Sequence, residues 1–83
     1  MMNDDYLPVS CEQHSEYELA VMHGQVLHIT WQDGHGRIQS MPLKPCDLFS
    51  EQKSEYLSAR GPHGEHKKIR LDKIIRAQPI TNQ

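Results

Sequence analysis

Polar and apolar residues repeat with a helical period between Ser10 and Gly24. Ser10 and Gln13 have the spacing of a capping box, and Gly24 suits the left-handed residue that follows a helix end. The pattern therefore predicts a helix from Cys11 to His23. A rotation of about 100° per residue gives this helix a polar side and a side that packs against the core. The polar side carries Glu12, Gln13, Glu16 and His23, and the opposite side carries Cys11, Tyr17, Val21 and Met22.

After the helix, the pattern changes to short alternating segments, which are typical of half-buried β-strands. The segment 26–32 places Leu27, Ile29 and Trp31 on one side. Further strands are predicted at 37–41, with Ile38 facing inward, at 55–60, at 66–71, where Ile69 and Leu71 share a face, and at 74–78.

Turn-forming residues separate these segments. Glycine-containing turns are predicted at 33–36 and 61–64, because glycine tolerates a positive φ. Pro42 and Pro45 cannot donate a ladder hydrogen bond, so we expect them to end the second strand or to confine it to an edge. Residues 47–53 are accordingly predicted to form a loop or a short turn.

The predicted fold is mostly β with one N-terminal α-helix. Five short antiparallel strands in 83 residues favour a small closed barrel, because closure protects edges that an open sheet would expose. SH3-like and OB-like barrels both fit this strand count. We expect a single domain with an extended segment at 1–9, an acidic helix at 10–24, the barrel at 25–78 and a polar tail at 79–83.

Charge is divided along the chain although the net charge is only −2. Residues 1–23 contain five acids and no Lys or Arg, whereas residues 60–76 hold six of the nine basic residues. Acids near a helix start are stabilised by the helix dipole, so a solvated helix terminus explains the acidic helix without any partner. The alternative is that the acidic helix is a docking surface for a basic partner.

The sequence favours a cytoplasmic protein. No apolar run approaches the roughly 20 residues of a membrane span, and the first residues lack the basic and apolar regions of a signal peptide. The two cysteines, Cys11 and Cys46, are expected to stay reduced in that compartment.

Metal binding and catalysis find little support in the sequence. Candidate metal ligands are Cys11, His14, His23, His28, Cys46, His63 and His66, and none of them form the two tight ligand pairs of a zinc site. No nucleophile elbow, phosphate loop or H-E-x-x-H motif is present. We therefore expect no cofactor, no metal and no enzymatic activity.

Nucleic acid binding is the alternative that the basic residues raise. Arg60, Lys67, Lys68, Arg70, Lys73 and Arg76 would line the later strands of a barrel, and some small barrels bind single-stranded RNA. The acidic helix and the scarcity of aromatic residues argue against direct RNA binding. A solvated strand face paired with Glu55, Glu65 and Asp72 explains the same residues.

Over nearly its full length, the chain resembles the Rof (YaeO) family. The resemblance rests on the order and spacing of short motifs rather than on any single one. These motifs are Asn3-Asp4, Tyr6 with Pro8, Cys11 at the helix start, Glu18-Leu19-Ala20, Asp33-Gly34, Asp47-Leu48-x-Ser50, Glu55-Tyr56-Leu57 and Arg70-Leu71-Asp72-Lys73-Ile74.

The resemblance implies a Sm-like, SH3-type barrel that inhibits the transcription termination factor Rho. Members of this family are expected to bind the RNA-binding surface of the N-terminal domain of Rho, and so to block RNA loading and act as antiterminators. A surface that attracts RNA phosphates is basic, so an acidic helix can compete for it. The expected partner is thus the basic surface of Rho, and the expected protein is a monomer.

Among the residues matched to the family, Glu18 is the first candidate for partner binding. The other candidates are Glu12, His14, Ser15 and Glu16 in the helix and Ser50, Gln52 and Lys53 after it. The helix of the family resembles C-D-D-Y-D-N-L-E, so Gln13, His14 and Ser15 replace an acid, an aromatic residue and another acid. This chain therefore carries fewer charges on that helix than the family pattern.

Overall fold

The computed structural model describes residues 8–80. Its elements are α1 (Cys11–His23), β1 (Leu27–Gln32), β2 (Ile38–Glu51), β3 (Ser54–Arg60), β4 (His66–Arg70), a 3-10 turn (Leu71–Lys73) and β5 (Ile74–Pro79). Residues 1–7 of the predicted extended segment and residues 81–83 of the predicted tail lie outside the described residues. No helix of the described residues has the length and apolar character needed to cross a membrane.

Helix α1 begins and ends where its capping residues predict. The Ser10 hydroxyl accepts a hydrogen bond from the Gln13 backbone N–H at 3.2 Å, which satisfies one of the unpaired donors of the first turn. Gly24 has a φ of 62° and donates to the Val21 carbonyl, while Gln25 N–H donates to the Ala20 carbonyl. These two hydrogen bonds to the last turn form a Schellman motif, which a glycine at this position favours.

The five strands form one antiparallel sheet with the order β4-β3-β2-β1-β5. The mostly-β fold with one N-terminal helix is therefore confirmed. The sheet is not closed into a barrel, because β4 and β5 occupy its two edges and pair only with β3 and β1. The 3-10 turn 71–73 separates these two consecutive strands. The strands therefore do not form a complete ring of hydrogen bonds. Helix α1 contributes Tyr17 and Ala20 to the core that the strands share.

Strand β2 is much longer than predicted and includes the segment that was expected to be a loop. It continues through Pro42 and Pro45 to Glu51. Residues 38–43 pair with β1, and residues 44–51 pair with β3, with a bulge between Pro45 and Asp47. Each part of β2 thus has a partner on one side only, and a proline is tolerated where one side of a strand is unpaired.

One continuous core joins the helix to both parts of the sheet. Its largest fully buried side chains are Ile29, Leu43, Leu57, Leu71 and Pro45. Strand β1 alternates as predicted, with Leu27, Ile29 and Trp31 buried. Ile69 and Leu71 are both buried, as their common face predicts.

The predicted burial was wrong at three positions. Ile38 is 59% exposed, because it pairs with the outward residue Gln32 and has the opposite orientation to buried Leu43. On the helix, Met22 is 76% exposed and Cys11 is also exposed. The buried stripe of α1 is narrower than predicted and consists of Tyr17 and Ala20, with Val21 beside them.

Candidate partner-binding site

Helix α1 and the β2–β3 hairpin enclose a shallow acidic groove of about 250 Å³. This acidic groove is lined by His14, Glu18, Leu48, Phe49, Ser50, Glu55 and Leu71. The His14 ring bridges two carboxylates: Nδ1 lies 3.6 Å from Glu18 Oε2, and Nε2 lies 3.5 Å from Glu55 Oε1. The Glu18 and Glu55 side chains are 56% and 43% exposed, so both remain accessible to a basic group of a partner.

Regular secondary structure brings these polar side chains together. His14 and Glu18 are four residues apart in α1, so they lie on the same side of the helix. Ser50 and Glu55 are opposite each other in the β2–β3 pair and project from the same face of the sheet. Among the predicted partner-binding residues, the structure therefore unites His14, Glu18 and Ser50.

The other predicted helix residues lie outside the acidic groove. Glu12, Ser15 and Glu16 are exposed along α1. Glu16 lines a second, apolar groove that also includes Leu19 and the edge strand β5. Burial, and secondarily the charge of Glu16, raises the pKa of Tyr17 above its ordinary value. These exposed side chains extend the acidic surface along the helix without joining the His14 cluster.

Gln52 and Lys53 form the two-residue turn between β2 and β3. Their φ angles are 49° and 68°, and they are the non-glycine residues with positive φ among residues 8–80. A hairpin turn of this length normally carries Asn-Gly, because side chains with a Cβ are strained in the left-handed region. Backbone strain thus lies directly beside the acidic groove.

Glu55 is the groove residue that sequence reasoning missed, since it was assigned only to a strand and to pairing with basic residues. A signal was available in the alternation of β3. Glu55 has the same orientation as Leu57 and Ala59, which are fully buried. A carboxylate at the first inward position of a strand has to face either the core or the element that covers it, which here is α1.

Two basic residues of the later strands are paired with acids within the chain. Lys68 forms an ion pair with Glu51, and this hydrogen bond is the main cause that raises the pKa of Lys68. The Arg70 guanidinium donates two hydrogen bonds of 2.8 Å to the Asp72 carboxylate. The predicted pairing of the basic strand face with acids therefore holds for Asp72, and Glu51 is an acid of this face that the sequence did not predict.

A third depression, the basic groove, lies between the β1–β2 turn and β4. It has a volume of about 450 Å³. The residues that line it are Trp31, Gln32, Asp33, Gly34, Gly36, Tyr56, Lys68, Ile69, Arg70 and Lys73. The Tyr56 ring is stacked on Phe49 with a centroid distance of 5.6 Å, so one aromatic pair links the acidic and basic grooves.

The described residues contain no arrangement typical of an enzyme. Between residues 8 and 80, no group of three potential metal ligands lies together, and the Asp72 side chain, which is only 5% exposed, is paired with Arg70. Cys11 and Cys46 are free thiols on the surface.

The fold and this surface define a small, mostly-β domain, in which a capped acidic helix lies beside a sheet with a basic groove. No family model matches the sequence. Two curated proteins, both called Protein rof, from Escherichia coli (strain K12) and Shigella flexneri, are each 37% identical to it over 73 residues. The matched region covers 88% of this chain and 81% of each relative. The chain belongs to the Rof family.

A solved structure supports the fold independently of the sequence. The proteasome accessory factor B/C (PafBC) of Arthrobacter aurescens matches 87% of this chain with a TM-score of 0.71 at 19% identity. The match spans 12% of that longer chain. At this level of identity the similarity concerns the architecture alone.

Proposed function

We propose that this protein inhibits Rho-dependent transcription termination in the cytoplasm. It acts as a monomer that binds the RNA-binding surface of the N-terminal domain of Rho and prevents RNA from loading. The observation that carries the proposal is the acidic groove, where Glu18 and Glu55 flank His14 on an ordered helix and hairpin. A surface that binds RNA phosphates is basic, and fixed carboxylates compete with phosphates for it.

The proposed contact surface extends beyond the groove in two directions. Glu12, Ser15 and Glu16 continue it along α1, while Ser50 borders the groove and Gln52 and Lys53 form the adjacent turn. Inhibition on this basis is steric and electrostatic and requires no catalytic residue. It should weaken as salt screens the exposed charges over a Debye length of about 10 Å at 0.1 M.

Displacement of a fluorescent C-rich RNA from purified Rho tests the proposal. We expect the wild-type protein to release the RNA, and to release less of it at higher salt. The double variant E16K/E18K should no longer displace RNA while keeping its circular dichroism spectrum. The single variant E18K should lose most of the activity, because it reverses a groove carboxylate and opposes a basic partner.

D47K is the matched control for E18K. Asp47 is exposed and belongs to the β2–β3 pair, but it does not line the acidic groove, and its replacement changes the net charge by the same amount. If D47K and E18K lost displacement equally, the loss would result from the change in net charge and not from the acidic groove. Full displacement by E16K/E18K would rule out the acidic helix as the contact surface.

A further inference from the structure

The basic groove has the dimensions of a small-ligand site. Its volume of about 450 Å³ lies within the range of sites that hold small molecules and cofactors. Two rigid elements form its sides: the β1–β2 turn with Gly34 and Gly36, and β4 with the 3-10 turn that follows it. Trp31 lines the groove and is only 5% exposed, so its position is fixed by the core.

The charges in the groove favour an anion. Lys68, Arg70 and Lys73 contribute three cations, and Asp33 contributes the one carboxylate among the lining residues. Asp33 already accepts hydrogen bonds from the backbone N–H groups of His35 and Arg37 and from the Gln39 side chain. These donors are neutral, so Asp33 keeps its negative charge, and the cations exceed the carboxylates by two among the lining residues. Arg70 is paired with Asp72, so Lys68 and Lys73 are the cations that an anion would contact.

An aromatic wall accompanies these cations. Tyr56 lines the groove, and its ring is held by stacking on Phe49 with an interplanar angle of 18°. The Lys68 ammonium lies 4.6 Å from the centroid of Tyr56. Sites that bind nucleotides often combine an aromatic ring of fixed position with flexible cations. The base stacks on the ring, and the phosphate lies near the cations.

Lys68 is able to leave its present partner at little cost. The Lys68 and Glu51 side chains are 49% and 52% exposed, and ion pairs at such exposure contribute little to stability. A phosphate oxygen therefore replaces the Glu51 carboxylate easily, and this movement frees the face of Tyr56 for a base.

We infer that the basic groove is a nucleotide-binding site, in which Tyr56 stacks on the base and Lys68 and Lys73 hold the phosphate. The nucleotide is either a free mononucleotide or one unit of a single-stranded RNA, since both offer the same base and phosphate. The sequence argues against nucleic acid binding because aromatic residues are few, but the fold places two of them side by side next to the cations. This site lies beside the acidic groove, to which the Phe49–Tyr56 pair connects it, and nucleotide binding there does not require Rho.

NMR titration of the ¹⁵N-labelled protein tests the inference. The chain has a single tryptophan, so the indole N–H of Trp31 gives one signal that reports on the groove. We expect adenosine 5′-monophosphate to shift this signal and the amide signals of residues 68–73. Adenosine and inorganic phosphate, tested separately, should bind at least tenfold more weakly. A hexamer of single-stranded RNA, compared with the mononucleotide, identifies which source binds more tightly.

Three variants provide the decisive comparison. Y56L should weaken nucleotide binding about tenfold, because a stacked base is lost. K73E should weaken nucleotide binding by a similar factor. It should also reduce the slope of log K against log salt concentration for RNA binding by about one. R76E makes the same charge change on β5, outside the groove, and should bind normally.

Two results would overturn the inference. One is the absence of any shift at Trp31 and residues 68–73 with either the mononucleotide or the RNA at millimolar concentration. The other is an equal effect of K73E and R76E, which would indicate nonspecific attraction. K73Q serves as a milder variant if the spectrum of K73E shows unfolding. The displacement of RNA from Rho by K73E is measured in parallel, so that failure at this groove is distinguished from failure at the acidic groove.

Discussion

Single carboxylates shape the two glycine-containing turns of this protein. In the first turn Asp33 N–H donates to the Arg37 carbonyl, and in the second Gly61 N–H donates to the Glu65 carbonyl, both at 2.8 Å. Gly36 and Gly64 take the same place in the two turns, with φ angles of 78° and 85°. Both turns were predicted from their glycines, because glycine tolerates a positive φ and so specifies a turn locally.

Hydrogen bonds to these carboxylates make the stability of the fold depend on pH. The Gln39 side chain, followed by the Arg37 backbone N–H, lowers the pKa of Asp33 below its ordinary 3.8. A carboxylate with a lowered folded-state pKa stabilises the protein above the unfolded pKa. That stabilisation is lost as the pH falls through the folded-state value.

D33N tests this dependence. At neutral pH we expect D33N to be less stable than the wild type, because a neutral amide is a weaker acceptor than a carboxylate. The difference should narrow at an acidic pH below the folded-state pKa of Asp33, where the carboxylate is protonated as well. Urea unfolding at the two pH values measures it, and Q39L should reduce the pH dependence because it removes the largest cause. A difference of equal size at both pH values would contradict the argument.

At the scale of secondary structure, elements with strong local signals were predicted well. The caps of α1 and the alternation of β1 depend on neighbouring residues, which the sequence displays directly. Strand β2 depends on non-local pairing: its first part pairs with β1 and its second part with β3. The two prolines therefore indicated that the second strand ends there. The strand nevertheless continues, because each part of β2 pairs with a neighbouring strand on one side only.

The candidate site follows the same division. Glu18 and His14 were found from the helix, whereas Glu55 joins them only because β3 pairs with β2, on which α1 packs. The turn at 52–53 falls within the loop or short turn that was predicted at 47–53, but its left-handed conformation gave no sequence signal. It lacks Asn and Gly, the residues that its left-handed conformation favours.

K53G tests whether Lys53 is retained at a cost in stability. Glycine removes the strain of a Cβ at a φ of 68°, so we expect K53G to be more stable than the wild type. The expected gain is about 1 kcal/mol. If Lys53 also contacts Rho, RNA displacement should weaken in the same variant. Chemical denaturation measures the stability, and Q78G, at an exposed and extended position of β5, should instead lose about 0.5–1 kcal/mol. A decrease in stability for K53G would show that the turn is not strained.

At the scale of the whole molecule, one core connects two differently charged surfaces. Leu43 is fully buried at the point where β2 changes its partner from β1 to β3. The acidic groove lies on the α1 side, and the basic groove lies by the β1–β2 turn. The division of charge was visible in the sequence, but its arrangement around a shared core requires the topology.

L43A should destabilise the whole domain in one step. Removing this buried side chain should cost about 2–5 kcal/mol. Trp31 fluorescence, which reports on the β1 side, and far-UV circular dichroism, which reports on every element, should give the same unfolding midpoint. I38A, at an exposed position of β2, should change stability by less than about 0.5 kcal/mol. Two separate transitions in L43A would mean that the halves of the sheet fold independently.

The open sheet has a consequence for how the protein avoids aggregation. Strands β4 and β5 leave rows of unpaired backbone groups, which can serve as templates for strands of other molecules. The β4 edge carries the consecutive lysines Lys67 and Lys68, and β5 carries Arg76 and ends at Pro79. Charge and proline are the features that keep natural sheet edges from joining. The basic residues thus oppose fibril-like assembly, and chemical neutralisation of the β4 lysines should remove this protection from one edge.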